Sequence, residues 1–335
     1  MAGKRGSMPG AKLADVAAAA GVAPMTVSRV INTPERVAAA TAERVRAAIA
    51  RLGYVPNLVA GGLSSRRSRM IAAIVPTIAH PMFADLMGSF TETLRTAGYQ
   101  VMLSLSGYGH GREDELVPAL LGRRPDGILL TGIHHDPAAR VMLVEAGIPV
   151  VEIFDTAPRP IDMLIGFDHA EVGAAVAGFF LARGHDRFAV FAAGDARAQA
   201  RRRGFMEQVI RDGGRMIAHP TLPAPSTIMA GREALRHLVP TLSDRVALFC
   251  SSDLLAFGAI VEARQHGIAV PGQLAVCGFG DFELGAASEP AFTTVTVEAG
   301  KIGREAAMML LRRLNGTPGP ALLRVPFRIL ERRST

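Results

Sequence analysis

The chain has 335 residues, 49% of them hydrophobic and 20% charged, with a formal net charge of +7. That exceeds one typical core and points to two or three domains, and no apolar run reaches the roughly 18–20 residues that a membrane span requires. Residues 1–70 carry 11 Lys and Arg against 3 Asp and Glu while the remainder carries 26 against 27, so the whole positive excess belongs to the N-terminal stretch. That stretch has no apolar signal segment, and the chain is expected to stay in the cytoplasm without membrane contact. Cys250 and Cys277 each close an apolar, strand-like run, which suits reduced core thiols better than a disulfide framework and implies no metal site. A basic module on a near-neutral body is the electrostatic footprint of a nucleic-acid binder; the plain alternative is a solvated basic arm.

The first elements decide between these. In "LADVAAAAGVAPMTVSRVIN", Leu13, Val16 and Ala17 put an apolar stripe on a first helix that Gly21 ends, and Pro24 opens a second, where a missing N–H costs nothing. Val27, Val30 and Ile31 face back toward the first helix. The opposite stripe presents Pro24, Met25, Ser28 and Arg29 with Thr26 alongside, small, polar and cationic groups that fit a DNA major groove. A third helix is expected from Thr41 to Leu52, with Val45, Ala48, Ile49 and Leu52 closing the core, Arg44, Arg46 and Arg51 outside, and Pro56 as its stop.

Beyond "YVPNLVAGGLSSRRSR" the pattern changes. Apolar runs at "MIAAIVP", "QVMLSLS", "DGILLT", "IPVVEIF", "FAVFAAG", "VALFCSS" and "LAVCGFG" alternate with helical segments near 82–97, 137–146, 169–183, 197–212, 253–266 and 300–314. This is an α/β parallel-sheet signature, long enough for two doubly wound lobes with a ligand at the carboxyl ends of the strands. The expected domains are 10–56 for DNA binding, 57–69 as linker and 70–335 as a two-lobed α/β unit. Enzyme signals fail: "GYGHGRED" has Arg112 where a dinucleotide fingerprint needs its third Gly, and neither a P-loop nor a G-x-S-x-G turn occurs. His134, His135 and Asp136 are adjacent and lack ligand spacing, so neither a metal nor a cofactor is expected.

The stretches "LADVAAAAGVAPMTVSRVIN", "VRAAIARLGYVPNLVAGGL", "ARGH" and "PAFTTV" resemble the lactose-repressor (LacI) family of bacterial regulators across nearly the whole chain. "GYQVMLSLSGY", "GIPVVEIFD" and "IDMLIGFDHAEVG" look most like its gluconate-repressor branch. The resemblance implies a helix-turn-helix module joined to a two-lobed periplasmic-binding-protein fold, in a homodimer that grips pseudo-palindromic double-stranded operator DNA and responds to a small effector. It implies groove contacts by Pro24, Met25 and Arg29, further DNA contacts at Tyr54 and Asn57, and a hinge helix that pushes Leu63, with Ala60 beside it, into the minor groove. Two departures are Ala23 in place of a Ser cap and Met25 in place of a Gln. Gly61-Gly62 costs such a helix about 0.8–1 kcal/mol per residue, so its order should depend on DNA; the alternative is a plain flexible linker.

For the effector, the resemblance points to Thr77, His80, Phe83, His135 and Asp168 in the first lobe and to Arg201, Ser252, Asp253 and Asp281 in the second. Ser252 and Asp253 are equally suited to capping the following helix. Arg201, three positions before Gly204, suits a carboxylate or phosphate through two parallel hydrogen bonds. Gly280 stands where sugar-sensing relatives use Asp, and Ser252 where they use Asn, which speaks for a sugar acid such as gluconate, or a phosphorylated sugar, over a neutral sugar. A solute-binding transport component would share the two lobes but not the basic helix-turn-helix, and a sugar-modifying enzyme would need motifs this chain lacks.

Overall fold

The computed structural model describes residues 11–55, 67–108, 112–242 and 244–335. The chain divides into two compact units at Ser68/Arg69. Pro56, Asn57, Ala60, Leu63 and the Gly61-Gly62 pair lie outside the described residues, as do Gly109 and Gly111.

The first unit is α1 (Leu13–Ala20), α2 (Pro24–Asn32) and α3 (Ala39–Leu52). Gly21, at φ 64°, ends α1 in the left-handed region, where a residue without Cβ avoids strain. Pro24 then opens α2 at 102° to α1, within the range of a helix-turn-helix. Val16, Ala17, Ala20, Val27, Val30, Ala42, Val45 and Ala48 form the buried core. Two expectations need correction. Gly53, not Pro56, terminates α3, again through a left-handed cap at φ 59°. Leu52 is 37% exposed, because the chain reverses at Gly53 and returns the Tyr54 N–H to the Ile49 carbonyl, with Tyr54 packed against the core instead.

The second unit begins with β1 (Met70–Val75), α4 (Pro81–Thr96), β2 (Gln100–Leu105), α5 (Glu113–Leu121) and β3 (Gly127–Thr131). α6 (Pro137–Ala146), β4 (Val150–Ile153) and β5 (Met163–Gly166) follow. The second lobe takes α7 (His169–Leu181), β6 (Arg187–Ala193), α8 (Ala196–Arg211), β7 (Arg215–Ala218), β8 (Thr221–Leu222) and α9 (Ile228–Leu238). It continues with β9 (Val246–Cys250), α10 (Asp253–Gln265), β10 (Leu274–Phe279), α11 (Glu283–Ala287) and β11 (Thr293–Thr296). α12 (Ala299–Leu314) and β12 (Leu322–Arg324) return to the first lobe, and β13 (Arg328–Leu330) completes the second.

The first sheet runs β12-β5-β4-β3-β1-β2 with every pair parallel. The second runs β13-β11-β10-β9-β6-β7 with β8 beside β6, and only the edge strand β13 is antiparallel. Helices cover both faces, so the central strands are buried throughout and read as continuous apolar runs. The chain passes between the lobes three times, after β5, after β11 and between β12 and β13. The helix pair beneath the second sheet packs unusually closely: a Cβ on Gly204 of α8 would lie 1.9 Å from the Ala170 carbonyl oxygen of α7, and one on Gly173 would lie 1.9 Å from the Arg201 carbonyl oxygen. This contact fixes the position of Arg201 relative to the start of α7.

Candidate functional site

On the first unit, α2 turns Pro24, Met25 and Arg29 to solvent and leaves Thr26 and Ser28 half-buried. Met25 is 63% exposed, so it is not part of the core. No side chain caps α2, as the alanine at position 23 dictates. Arg51 ties α3 to α1 through the Ala19 carbonyl. Tyr54 is half-buried against the three-helix core.

In the second unit a narrow chamber of about 40 Å³ lies between the lobes, walled by Phe83, Phe154, Phe167 and Phe279. Tyr108, Asp195 and Arg197 line both this chamber and a wider mouth of about 450 Å³. Three elements supply the polar groups. α4 begins at the chamber and brings His80 just before its first residue; α8 brings Arg197 and Arg201 one turn apart on one face; the end of β9 brings Ser251 and Ser252.

Arg201 is 6% exposed. Its Nη1 donates to His169 Nδ1 at 2.8 Å, its Nη2 donates to the Ser251 carbonyl at 2.9 Å, and its guanidinium lies 4.0 Å from the Phe279 ring centre. Burial lowers its pKa to about 10, so it remains cationic at neutral pH. Its Nε, fully buried, has no hydrogen-bond partner, and neither has His80 Nδ1 in the same chamber. An unpaired buried polar atom is costly, and two of them on residues that line one small chamber suit a polar ligand. Burial, reinforced by Arg201, pushes His80 down to about 4 and His169 well below the usual imidazole range, so both rings are neutral at physiological pH. Asp195 accepts from the Ala198 N–H at the start of α8, and Asp155, raised by burial, faces the mouth. A fixed cation, neutral imidazoles, serines and carboxylates within aromatic walls can hold an anionic head and the hydroxyls attached to it.

The structure gathers His80, Phe83, Arg201 and Ser252 of the sequence-based set on the chamber. The others stand elsewhere or are otherwise engaged. Thr77 accepts from the Ala79 N–H in a local turn, and Asp168 caps α7 by accepting from Ala170 and Glu171. His135 lines the mouth, but both its ring nitrogens are taken by Glu113 and Glu152 at 3.0 Å. Burial opposes its charge, yet those two carboxylates prevail and raise it to about 9. Ser252, although on the chamber, accepts from the Leu254 N–H as the cap of α10, which leaves its O–H to donate. Asp253 is wholly buried, accepting from the Phe282 N–H at 2.7 Å and the Thr294 hydroxyl at 2.6 Å. Asp281 pairs with Arg332 at 2.7 Å and lines a separate groove. Gly280 has φ 128°, and a Cβ there would meet the Phe282 ring at 2.6 Å, so an Asp at this position would be strained and would require that ring to shift.

His169, Arg197, Asp195, Tyr108 and Ser226 line the chamber and were not singled out from the sequence. The i, i+4 spacing of Arg197 and Arg201 was the available signal for one of them; the rest depend on tertiary placement.

Residues 12–57 match the family of bacterial regulatory proteins, lacI family, and residues 177–335 match a periplasmic binding protein-like domain. The HTH-type transcriptional regulator GntR of Escherichia coli (strain K12) is 33% identical over 305 residues, 91% of this chain and 92% of that protein. The GntR of Pseudomonas aeruginosa is 33% identical over 329 residues, 96% and 95% of the two chains. Among solved structures, a LacI-family transcriptional regulator from Silicibacter pomeroyi superposes with a TM-score of 0.90 at 31% identity, covering 97% of this chain and 99% of that one.

Proposed function

The chain belongs to the lacI family of bacterial regulatory proteins and is a DNA-binding transcriptional regulator, and from that premise we propose that it is a repressor whose effector is a sugar acid such as gluconate. Residues 10–56 read DNA through Pro24, Met25, Thr26, Ser28 and Arg29, residues 57–69 form the hinge with Asn57, Ala60 and Leu63, and residues 70–335 take the effector. The working species is a homodimer on a pseudo-palindromic operator, because paired reading helices related by a two-fold axis meet equivalent half-sites. An effector that favours one arrangement of the two lobes alters operator affinity by as much as it discriminates between the arrangements.

One observation carries the choice of effector: the buried guanidinium of Arg201, a chamber-lining residue whose Nε–H has no partner among the described residues. A carboxylate there would satisfy both charge and donor, whereas a neutral sugar would leave the charge uncompensated. The hydroxyls of the sugar acid would meet His80, Ser252, Asp195 and Asp155. Calorimetric titration with gluconate, 6-phosphogluconate and glucose tests the assignment. Gluconate should bind, glucose should not, and Arg201→Ala should weaken gluconate binding about 10- to 100-fold, the worth of a charge-assisted hydrogen bond. Binding of 6-phosphogluconate alone would move the assignment to a phosphorylated sugar, and tight glucose binding would remove its basis.

A further inference from the structure

Resting on the reading that Arg201 receives an anionic effector, we propose that His169 is the positioning residue that aims the Arg201 fork, by accepting from it at the ring nitrogen that the Phe154 carbonyl of the opposite lobe leaves without a hydrogen. The His169 ring is 4% exposed and makes one hydrogen bond at each nitrogen. Nε2 lies 2.9 Å from the Phe154 carbonyl oxygen. A carbonyl only accepts, so Nε2 carries the hydrogen. The ring, held neutral by burial and by the Arg201 and Arg197 charges, therefore presents a lone pair at Nδ1, the atom that receives Arg201 Nη1. The other tautomer would set a donor against a donor. Phe167 packs edge-on with the ring centroids 4.6 Å apart, closing off rotation of the imidazole.

The consequence is a hydrogen-bonded crosspiece beneath the chamber. Phe154 follows β4 of the first lobe, and its left-handed φ of 61°, rare outside glycine, is part of the turn that offers its carbonyl to His169. Arg201 belongs to α8 of the second lobe and is held at its far side by Ser251. With Nη1 and Nη2 both engaged, the fork cannot swivel, and Nε is the guanidinium nitrogen that has no partner among the described residues. An anion taken by Arg201 is thereby tied, through one side chain, to the first lobe.

Two amide side chains separate the halves of this link. Asn places its oxygen as many bonds from Cα as His Nδ1, so it can accept from Arg201 but falls short of Phe154. Gln places its amide at the reach of Nε2, so it can donate to Phe154 but offers Arg201 no acceptor at the Nδ1 position. Gluconate is titrated calorimetrically into the full-length protein and its variants. His169→Ala and His169→Gln should lose affinity about tenfold or more, and His169→Asn should stay within about threefold, since only Asn keeps a partner for the buried guanidinium. Wild-type affinity in His169→Ala, or rescue by Gln and not Asn, would overturn the role. The second measurement needs no ligand: long-range proton–nitrogen spectra of protein with labelled histidine, assigned by the signal lost in His169→Asn. They should show a neutral His169 with its hydrogen on Nε2 between about pH 6 and 8, and a hydrogen on Nδ1 or a protonated ring would defeat the proposal. Wild-type protein that binds no gluconate but shows the Nε2 tautomer would count against the effector and leave the link standing.

Discussion

Asp253 shows how a residue that sequence reasoning links to ligand can instead hold the chain. Its carboxylate fastens Phe282 and Thr294 from full burial, and burial outweighs those bonds, raising its pKa to about 7, above the roughly 3.9 of an unfolded chain. The folded state thus holds this proton more tightly than the unfolded state. The contribution to stability is complete below about pH 4 and is lost as the pH rises toward and through 7. Asp253→Asn keeps an acceptor for the Phe282 N–H and offers its amide hydrogens to the Thr294 oxygen, without the titration. Its urea midpoint should vary less than wild type between pH 5 and 8 and should be higher at pH 8; an equally steep profile would place the titration elsewhere. At Arg29, exposed on α2, truncation to Ala should cost about 1–3 kcal/mol of operator binding and relax preference at one base pair, measured by gel shift on single-base operator variants. Arg201 could be reached through the family resemblance, which places it three positions before Gly204. His169 could not, because its meaning depends on a carbonyl at Phe154 and a guanidinium at Arg201, brought to it only by the fold.

Among the elements, α7 and α8 govern the site because Arg201 rides on the closely packed face of α8. Gly204→Ala would drive a methyl group into the Ala170 carbonyl and force the helices apart, so it should destabilise the protein by about 1–3 kcal/mol, and more if the backbone resists. It should also weaken effector binding, because the shift moves Arg201 away from His169; Gly178→Ala, on an open face of α7, is the control that should leave effector binding unchanged and raise stability by up to about 1 kcal/mol. Chemical denaturation and effector titration of the two variants decide the point. The long apolar runs and caps made most central elements legible, from β1 to β10. α5 escaped because Pro118 stands inside it, where a proline argues against a helix. β12 and β13, three residues each, escaped because so short a segment has no period to read; their pairing partners, far along the chain, decide their form.

At the scale of the molecule, the proposed function has the two units divide the labour between reading DNA and sensing the metabolite. Light scattering at micromolar concentration should give a dimer, and gel shifts should favour a pseudo-palindromic site over a shuffled one; a stable tetramer, or equal affinity for both DNAs, would contradict the arrangement. The three passages between the lobes carry a consequence for biosynthesis. Leu322 pairs with Leu164, Ile329 pairs with Val295, and Ser334 bonds to Val276 inside the second sheet. The helix-turn-helix, built from local contacts, is free to fold as soon as it leaves the ribosome. Neither lobe has its full sheet until the segment after α12 has also emerged. A ribosome-stalled chain ending near residue 318 should therefore carry a protease-resistant DNA-reading unit ahead of two protease-sensitive lobes, and extending it past β13 should protect both lobes together. The newborn regulator would acquire its fold for DNA well before it acquires its sense of the metabolite.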